Sequence, residues 1–331
     1  MADLLNMKAL ICSRFGLPET LEVGELPDPQ PGPDQILIEV EACGVNFPDV
    51  LLIQNKYQFK PELPFSPGGE VAGKIVGIGE NVEKFKIGDP VLALCGWGGF
   101  AEKVAVDADR VFAMPPGLSA AVAATTLYTY GTSYHALKDR ANLQPGETLL
   151  VLGAAGGVGL AAVELGKLMG ATVIAAASSE EKLVLCREKG ALETINYETE
   201  DLKTRIKELT GGKGVDVIYD PVGGKYTESA LRGIAWKGRY LIVGFANGEI
   251  PQIPMNLPLL KGCSIMGVFW GQFSKLEPKT SFQNIQQLVH WIHEGKIKQH
   301  ISKRYTLEES AKALTALLER KMLGKGVVIL K

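Results

Sequence analysis

The sequence predicts an α/β protein, in which a β-rich domain is joined to a doubly wound parallel sheet. Three observations carry this. Up to about residue 125, short strand candidates recur at roughly ten-residue spacing, separated by Pro and Gly. From about 126, apolar strands alternate with helical stretches, as in a parallel sheet covered on both faces. Within this second part stands Thr148–Gly159, an apolar run, a glycine-rich turn and the start of a helix.

In the β-rich part, Lys8–Ser13 and Thr20–Glu25 read as short strands. Pro27, Pro29, Pro31 and Pro33 follow as an extended connector, because each proline fixes φ and removes a donor. Gln35–Ala42 alternates strongly as a strand, and Val71–Ile78, Pro90–Leu94, Phe100–Val106 and Arg110–Ala113 complete the set. Ser119 is placed to cap a helix running to Leu127.

In the alternating part, strand 148–152 leads to helix 157–169, and strand 172–177 to a helix over Glu180–Lys189. Strand Glu193–Asn196 precedes helix Glu200–Leu209, and strand Val215–Tyr219 precedes helix Tyr226–Ala235. Strands Arg239–Val243 and Ser264–Phe269 close the sheet. Helices over Phe282–Glu294 and Glu308–Arg320 and a last strand, Gly326–Leu330, remain, the strand expected to return to the first domain.

Composition narrows the function classes. The 331 residues suffice for two domains, and 46% hydrophobic with 22% charged residues fits a globular chain. A net charge of −2 gives no field favouring nucleic acid or an anionic membrane. The five cysteines are scattered with no C-x-x-C pair, which suits reduced thiols. No apolar run reaches the ~18 residues of a membrane span, and Met1–Asn6 has no signal-peptide character. The expected location is cytoplasmic.

The glycine turn is the chemical landmark. A helix N-terminus presents unpaired N–H groups and attracts phosphate. Gly156 lets the backbone approach a pyrophosphate, and Gly159 lets helix and strand pack closely. The spacing departs from G-x-G-x-x-G, since Ala154 holds the first glycine position and Gly153 precedes it.

Several motifs together resemble the medium-chain dehydrogenase/reductase superfamily: the β-rich N-terminal part, P-G-x-E-x-x-G at Pro67–Gly73, the glycine run, and I-N-Y at Ile195–Tyr197. Gly44–Asp49 (G-V-N-F-P-D), Ala154–Gly159 (A-A-G-G-V-G) and Gly267–Gly271 (G-V-F-W-G) resemble its zinc-independent quinone oxidoreductases, the zeta-crystallin-like family. The resemblance covers nearly the whole chain. It implies a GroES-like catalytic domain from residues 1–125 and 266–331, and a Rossmann domain over 126–265. It also implies a homodimer through the strand near 264–270.

No metal is expected. The positions matching the zinc ligands of the superfamily's zinc branch hold Asn46, Gly69 with Glu70, and Tyr128. One carboxylate, an amide and a phenol do not make a catalytic zinc site. His290 and His293, three apart on a helix, read as an exposed face. Without a Lewis acid, the expected chemistry is hydride transfer from a nicotinamide to an already polarised quinone or α,β-unsaturated carbonyl.

NADPH is the expected cofactor. Strand 172–177 ends in Ala177-Ser178-Ser179, not in the acid that binds a ribose hydroxyl, and Ser178 and Lys182 suit a 2′-phosphate. Glu180 and Glu181 are a counter-signal. By resemblance, Tyr197 also faces that phosphate, Ala155, Gly156, Gly157 and Val158 hold the pyrophosphate, and Asn46 and Thr132 lie near the nicotinamide. Val222 and Phe245 follow successive strands, Phe269 and Trp270 flank the nicotinamide amide, with core packing as the rival role, and Lys325 approaches the phosphates.

Tyr57, Asn46 and Asp49 are the catalytic candidates. In related enoyl reductases a tyrosine at the place of Tyr57 is thought to donate a proton; packing on substrate is the other reading. Asn46 and Asp49 could hold the acceptor or the ribose, or Asp49 could only cap its helix. The alternatives are an enoyl-thioester reductase and a non-catalytic, crystallin-like NADPH-binding protein.

Overall fold

The computed structural model describes Asn6–Lys331, so the reading of the first residues as lacking a signal peptide lies mostly outside it. The chain divides into two compact units, Met1–Tyr128 with Gln299–Lys331, and Thr129–Lys298.

The first unit opens with β1 (Asn6–Ile11) and β2 (Glu22–Pro27), an antiparallel pair. Next come β3 (Gln35–Gly44), α1 (Phe47–Ile53), β4 (Glu70–Ile78), β5 (Pro90–Leu94), β6 (Lys103–Asp107) and β7 (Val111–Ala113). Strand β3 buries every second residue from Ile36 to Ala42, the pattern of a strand with one face in the core. Ser119 caps α2 (Ala120–Ala123), accepting from the Val122 N–H as its sequence position suggests. The helix stops at Ala123, and a turn separates it from α3 (Leu127–Tyr134).

The second unit carries β8 (Thr148–Leu152), α4 (Gly157–Leu168), β9 (Thr172–Ala177), α5 (Glu180–Lys189), β10 (Glu193–Asn196), α6 (Leu202–Leu209), β11 (Val215–Asp220), α7 (Tyr226–Arg232), β12 (Ile234–Ile242), α8 (Asn256–Lys261) and β13 (Ser264–Gly267). The six strands form one parallel sheet in the order β10-β9-β8-β11-β12-β13. The order reverses direction between β8 and β11, and the C-terminal ends of strands at such a point form the usual ligand crevice of open α/β sheets. Helices α9 (Trp270–Leu276) and α10 (Pro278–His293) complete this unit.

Two expectations are corrected. The helix expected over Tyr226–Ala235 ends at Arg232, because Gly233 caps it and β12 starts at once. The expected return to the catalytic domain at residue 266 falls instead after 298. Strand β13 is hydrogen-bonded to β12, and Asn284 of α10 bonds Asp139 and Lys138 just beyond α3, which keeps these elements with the parallel sheet.

The chain then returns to the first unit as β14 (Ile301–Tyr305), α11 (Ser310–Leu318) and β15 (Lys325–Ile329). Strand β15 pairs antiparallel with β3, Val327 opposite Gly44, so the end of the chain joins the first domain as expected. The sheet order is β14-β15-β3-β4-β5-β7, with β6 also on β3.

Candidate functional site

In the second unit, the residues expected to hold a cofactor gather at the C-terminal strand ends. Gly153 follows β8 with φ +56°, a conformation that glycine adopts without strain. A Cβ there would stand 2.7 Å from Val222 Cγ2, so Val222 lies against the glycine turn. A Cβ on Gly159 would come within 2.3 Å of Gly153 O, which explains the demand for glycine in the first turn of α4. Gly156 is the N-cap of the twelve-residue α4, and a Cβ there would meet only Gly153 O, at 3.4 Å. The turn thus leaves open space beside the helix N-terminus, a cradle that fits a pyrophosphate between Ala155 and Val158.

At the end of β9, Lys182 Nζ donates to Ser178 Oγ at 2.9 Å, which joins the two residues assigned to a 2′-phosphate. Ser179 caps α5 by accepting from the Lys182 N–H. Tyr197, one residue past β10, lies against Tyr226 with ring centroids 4.3 Å apart. Tyr226 bonds Glu198, and Lys225 stands 4.9 Å over its ring.

Asp220, at the end of β11, is a buried carboxylate that the sequence did not single out. It is 3% exposed. Its Oδ1 accepts from the N–H groups of Val222 (2.8 Å) and Gly223 (2.9 Å), and its Oδ2 accepts from Thr227 Oγ1 (3.1 Å) and Tyr240 OH (2.6 Å). The carboxylate therefore fixes the loop that carries Val222. A Cβ on Gly223 would lie 2.9 Å from Phe245 Cδ1, which places Phe245 on that loop too. The available signal was an acid closing an apolar strand directly before Pro-Val-Gly-Gly.

On α3, a Cβ at Gly131 would fall 2.5 Å from the Trp270 indole, so Trp270, 6% exposed, packs on the helix beside Thr132. Phe269 is 45% exposed. Trp270 is thus packed against α3, whereas Phe269 is open to solvent. His290 is exposed and pairs with Glu294, and His293 is exposed, as the helix-face reading has it.

In the first unit, Asn46, Asp49, Glu70 and Lys325 form one buried cluster. Asp49 Oδ2 accepts from the Asn46 N–H at 2.8 Å, tying the first turn of α1 to the segment before it. Asp49 Oδ1 has no hydrogen-bond partner. The Gly68 N–H lies near enough to favour its charged form without the alignment of a bond. Burial dominates, and the Asp49 carboxyl is pushed up to about 7.

Glu70, fully buried, accepts from the Leu127 N–H and, at 3.3 Å, from the Tyr128 N–H with one oxygen. The other accepts from Asn46 Nδ2 at 3.1 Å. Asn46 Nδ2 also donates to Gly44 O at 3.2 Å, and Asn46 Oδ1 accepts from Lys325 Nζ at 2.6 Å. The Asn46 amide is thus engaged inside the domain, on contacts other than the nicotinamide contact that the resemblance implies. Lys325, expected at the phosphates, also has its ammonium turned into this cluster.

Tyr57 is half-buried, packs 5.9 Å from the Phe59 ring, and has its phenol pushed up by burial and by the nearby Asp49. The Tyr128 phenol is pushed up by burial first, then by Asp49 and Tyr57. Two phenols and a carboxyl that is half protonated near neutrality therefore share one region, a set able to hold and pass a proton. Among the described residues, no group of three or more His, Cys, Asp or Glu side chains is arranged to hold a metal ion.

Comparison with known proteins agrees with these two halves. Residues 32–116 match the family model of the alcohol dehydrogenase GroES-like domain, and residues 157–293 that of the zinc-binding dehydrogenases. The quinone oxidoreductase-like protein 2 homolog of Nematostella vectensis is 42% identical over 98% of this chain and 89% of its own length. The quinone oxidoreductase of Pseudomonas aeruginosa is 33% identical over 97% of this chain and 99% of its own. The crystal structure of Escherichia coli quinone oxidoreductase complexed with NADPH aligns with a TM-score of 0.90 at 28% identity, covering 98% of this chain and 99% of that one.

Proposed function

The chain belongs to the quinone oxidoreductase family of the medium-chain dehydrogenases/reductases, and on that premise we propose that it is an NADPH-dependent, zinc-independent reductase of quinones or α,β-unsaturated carbonyls. The observation that carries the cofactor choice is the Lys182–Ser178 pair at the end of β9, where a cation and a hydroxyl stand ready for a 2′-phosphate. Its relative from Escherichia coli was crystallised with NADPH.

The glycine turn and Val158 would hold the pyrophosphate, Val222 and Phe245 the ribose side, and Thr132, Phe269 and Trp270 the nicotinamide end. When bound, the reduced nicotinamide supplies a hydride. Tyr57 then gives its phenolic proton to the enolate that an enone becomes, and Asp49, whose charge acts on the Tyr57 phenol, is the group assigned to restore that proton. A quinol needs no such donor, because water can protonate it. Metal independence is supported by donor chemistry: both oxygens of Glu70 are committed to N–H groups of Leu127, Tyr128 and Asn46.

The test is NADPH oxidation with a simple quinone, an enone and an enoyl-CoA, for the wild type and Tyr57→Phe. Turnover of the first two is expected. The substitution should lower the enone rate at least about tenfold, roughly 1.4 kcal/mol, and change the quinone rate little. A preference for enoyl-CoA would make the protein a thioester reductase. Tight NADPH binding without any turnover would make it a binding protein.

We propose in addition a homodimer through β13. This strand is the sheet edge, and Met255, Leu259 and Leu260 close by in sequence are 78%, 77% and 68% exposed. Sedimentation should give twice the chain mass of 35.6 kDa; a monomer would refute the pairing.

A further inference from the structure

Lys325 opens β15 and is 5% exposed, although a lysine ammonium is among the groups least often buried. Burying it is costly unless oxygens replace water around it. Its Nζ donates to Val45 O at 2.9 Å and to Asn46 Oδ1 at 2.6 Å, and stands 3.8 Å from Glu70 Oε2. Two of its three donors are thus engaged, and a carboxylate faces the ammonium. Burial pulls its pKa down, and Glu70, Asp49 and Cys43 act in the opposite direction.

The partners are themselves committed. Asn46 Nδ2 binds Gly44 O and Glu70, and Glu70 receives the N–H groups of Leu127 and Tyr128 at the start of α3. One ammonium therefore closes a continuous set of contacts from the C-terminal strand, through the 44–49 segment, to the first turn of α3. To serve as a phosphate ligand, Lys325 would have to leave this set and strand Glu70 as a buried, uncompensated charge.

We propose that Lys325 is a positioning residue: its ammonium is the internal counter-ion of Glu70 and holds the Asn46 amide, and with it the segment leading to Asp49, in working geometry, instead of binding the cofactor's phosphates. Its kinetic consequences rest on the reductase reading, whereas its placement does not.

The first test is amine acetylation of the wild-type protein, read by mass spectrometry with and without saturating NADPH. Lys325 should stay unmodified in both states. Modification in the free protein with protection by NADPH would overturn the proposal. Lys182 is the control for the cofactor reading, because NADPH should protect it. Failure there would sink that reading and leave the Lys325 result standing.

The second test is the pair Lys325→Met and Glu70→Gln. Lys325→Met should lower Tm by roughly 10 °C and kcat about tenfold, with KM for NADPH changed less than about threefold. The double variant should recover about half of the lost Tm, because no buried charge remains at either position and the freed Asn46 amide can turn to pair with the amide introduced by Glu70→Gln. Additive losses, or a tenfold rise in KM at constant kcat, would assign Lys325 to the phosphates. Should Lys325→Met not fold, the acetylation pattern decides.

Discussion

Two buried aspartates, one in each unit, are treated in opposite ways. Asp220 ends β11 with both oxygens satisfied, by Val222, Gly223, Thr227 and Tyr240. Asp49, in the first turn of α1, satisfies one oxygen with the Asn46 N–H and leaves the other without a partner. Folding recovers the cost of burying a carboxylate through such bonds and through nearby opposite charge. The cofactor side has recovered it fully and gained a fixed loop. Around Asp49 it is left partly unrecovered, and an under-satisfied, weakly acidic group is what the proposed proton chemistry near neutral pH would use.

The sharpest way to break this comparison is to remove the satisfied carboxylate. Asp220→Ala leaves two backbone N–H groups and two hydroxyls without their acceptor, at a cost of roughly 3 kcal/mol. The Val222 loop should loosen, and NADPH affinity should fall at least about tenfold. Asp220→Asn keeps an oxygen for Val222 and Gly223 and can donate to the two hydroxyls, so it should lose only about 1 kcal/mol and retain most binding. Fluorescence titration and thermal melts read both effects. Equal binding by the alanine variant would show that the loop holds its shape without Asp220.

The two halves were not equally legible in the sequence. Strands β8 and β9 coincide with the apolar runs 148–152 and 172–177, because a parallel strand buried on both faces is a continuous apolar run. The glycine turn was legible too, since the close approach of Gly159 to Gly153 O permits no side chain. The domain limit near 298 was hidden: the amphipathic pattern of α10 states that one face is buried but not against which unit. The role of Lys325 was hidden for a different reason. Its partners Val45 and Asn46 lie about 280 positions away, and only the antiparallel pairing of β15 with β3 brings them near. Asp220 was visible as a letter, but its four donors depend on how the 221–227 segment and β12 fold around it.

A smaller effect probes the other aspartate through pH. Folded Asp49 keeps its proton up to about 7, whereas an unfolded aspartate releases it near the ordinary value of 3.8. Below the unfolded value both states are protonated, and the contribution of Asp49 to stability is fully present. Between that value and about 7 only the unfolded chain gives up its proton, so stability falls as pH rises, and above about 7 the loss is complete. Asp49→Asn cannot titrate and still offers an oxygen to the Asn46 N–H. The drop in Tm between about pH 5 and about pH 8 should therefore be smaller in this variant by a few degrees. Glu70, also held above its usual range by burial, slopes in the same direction in both proteins, and its charge is one of the causes that raise Asp49. Identical pH slopes would mean that Asp49 is already ionised in the fold at about pH 5.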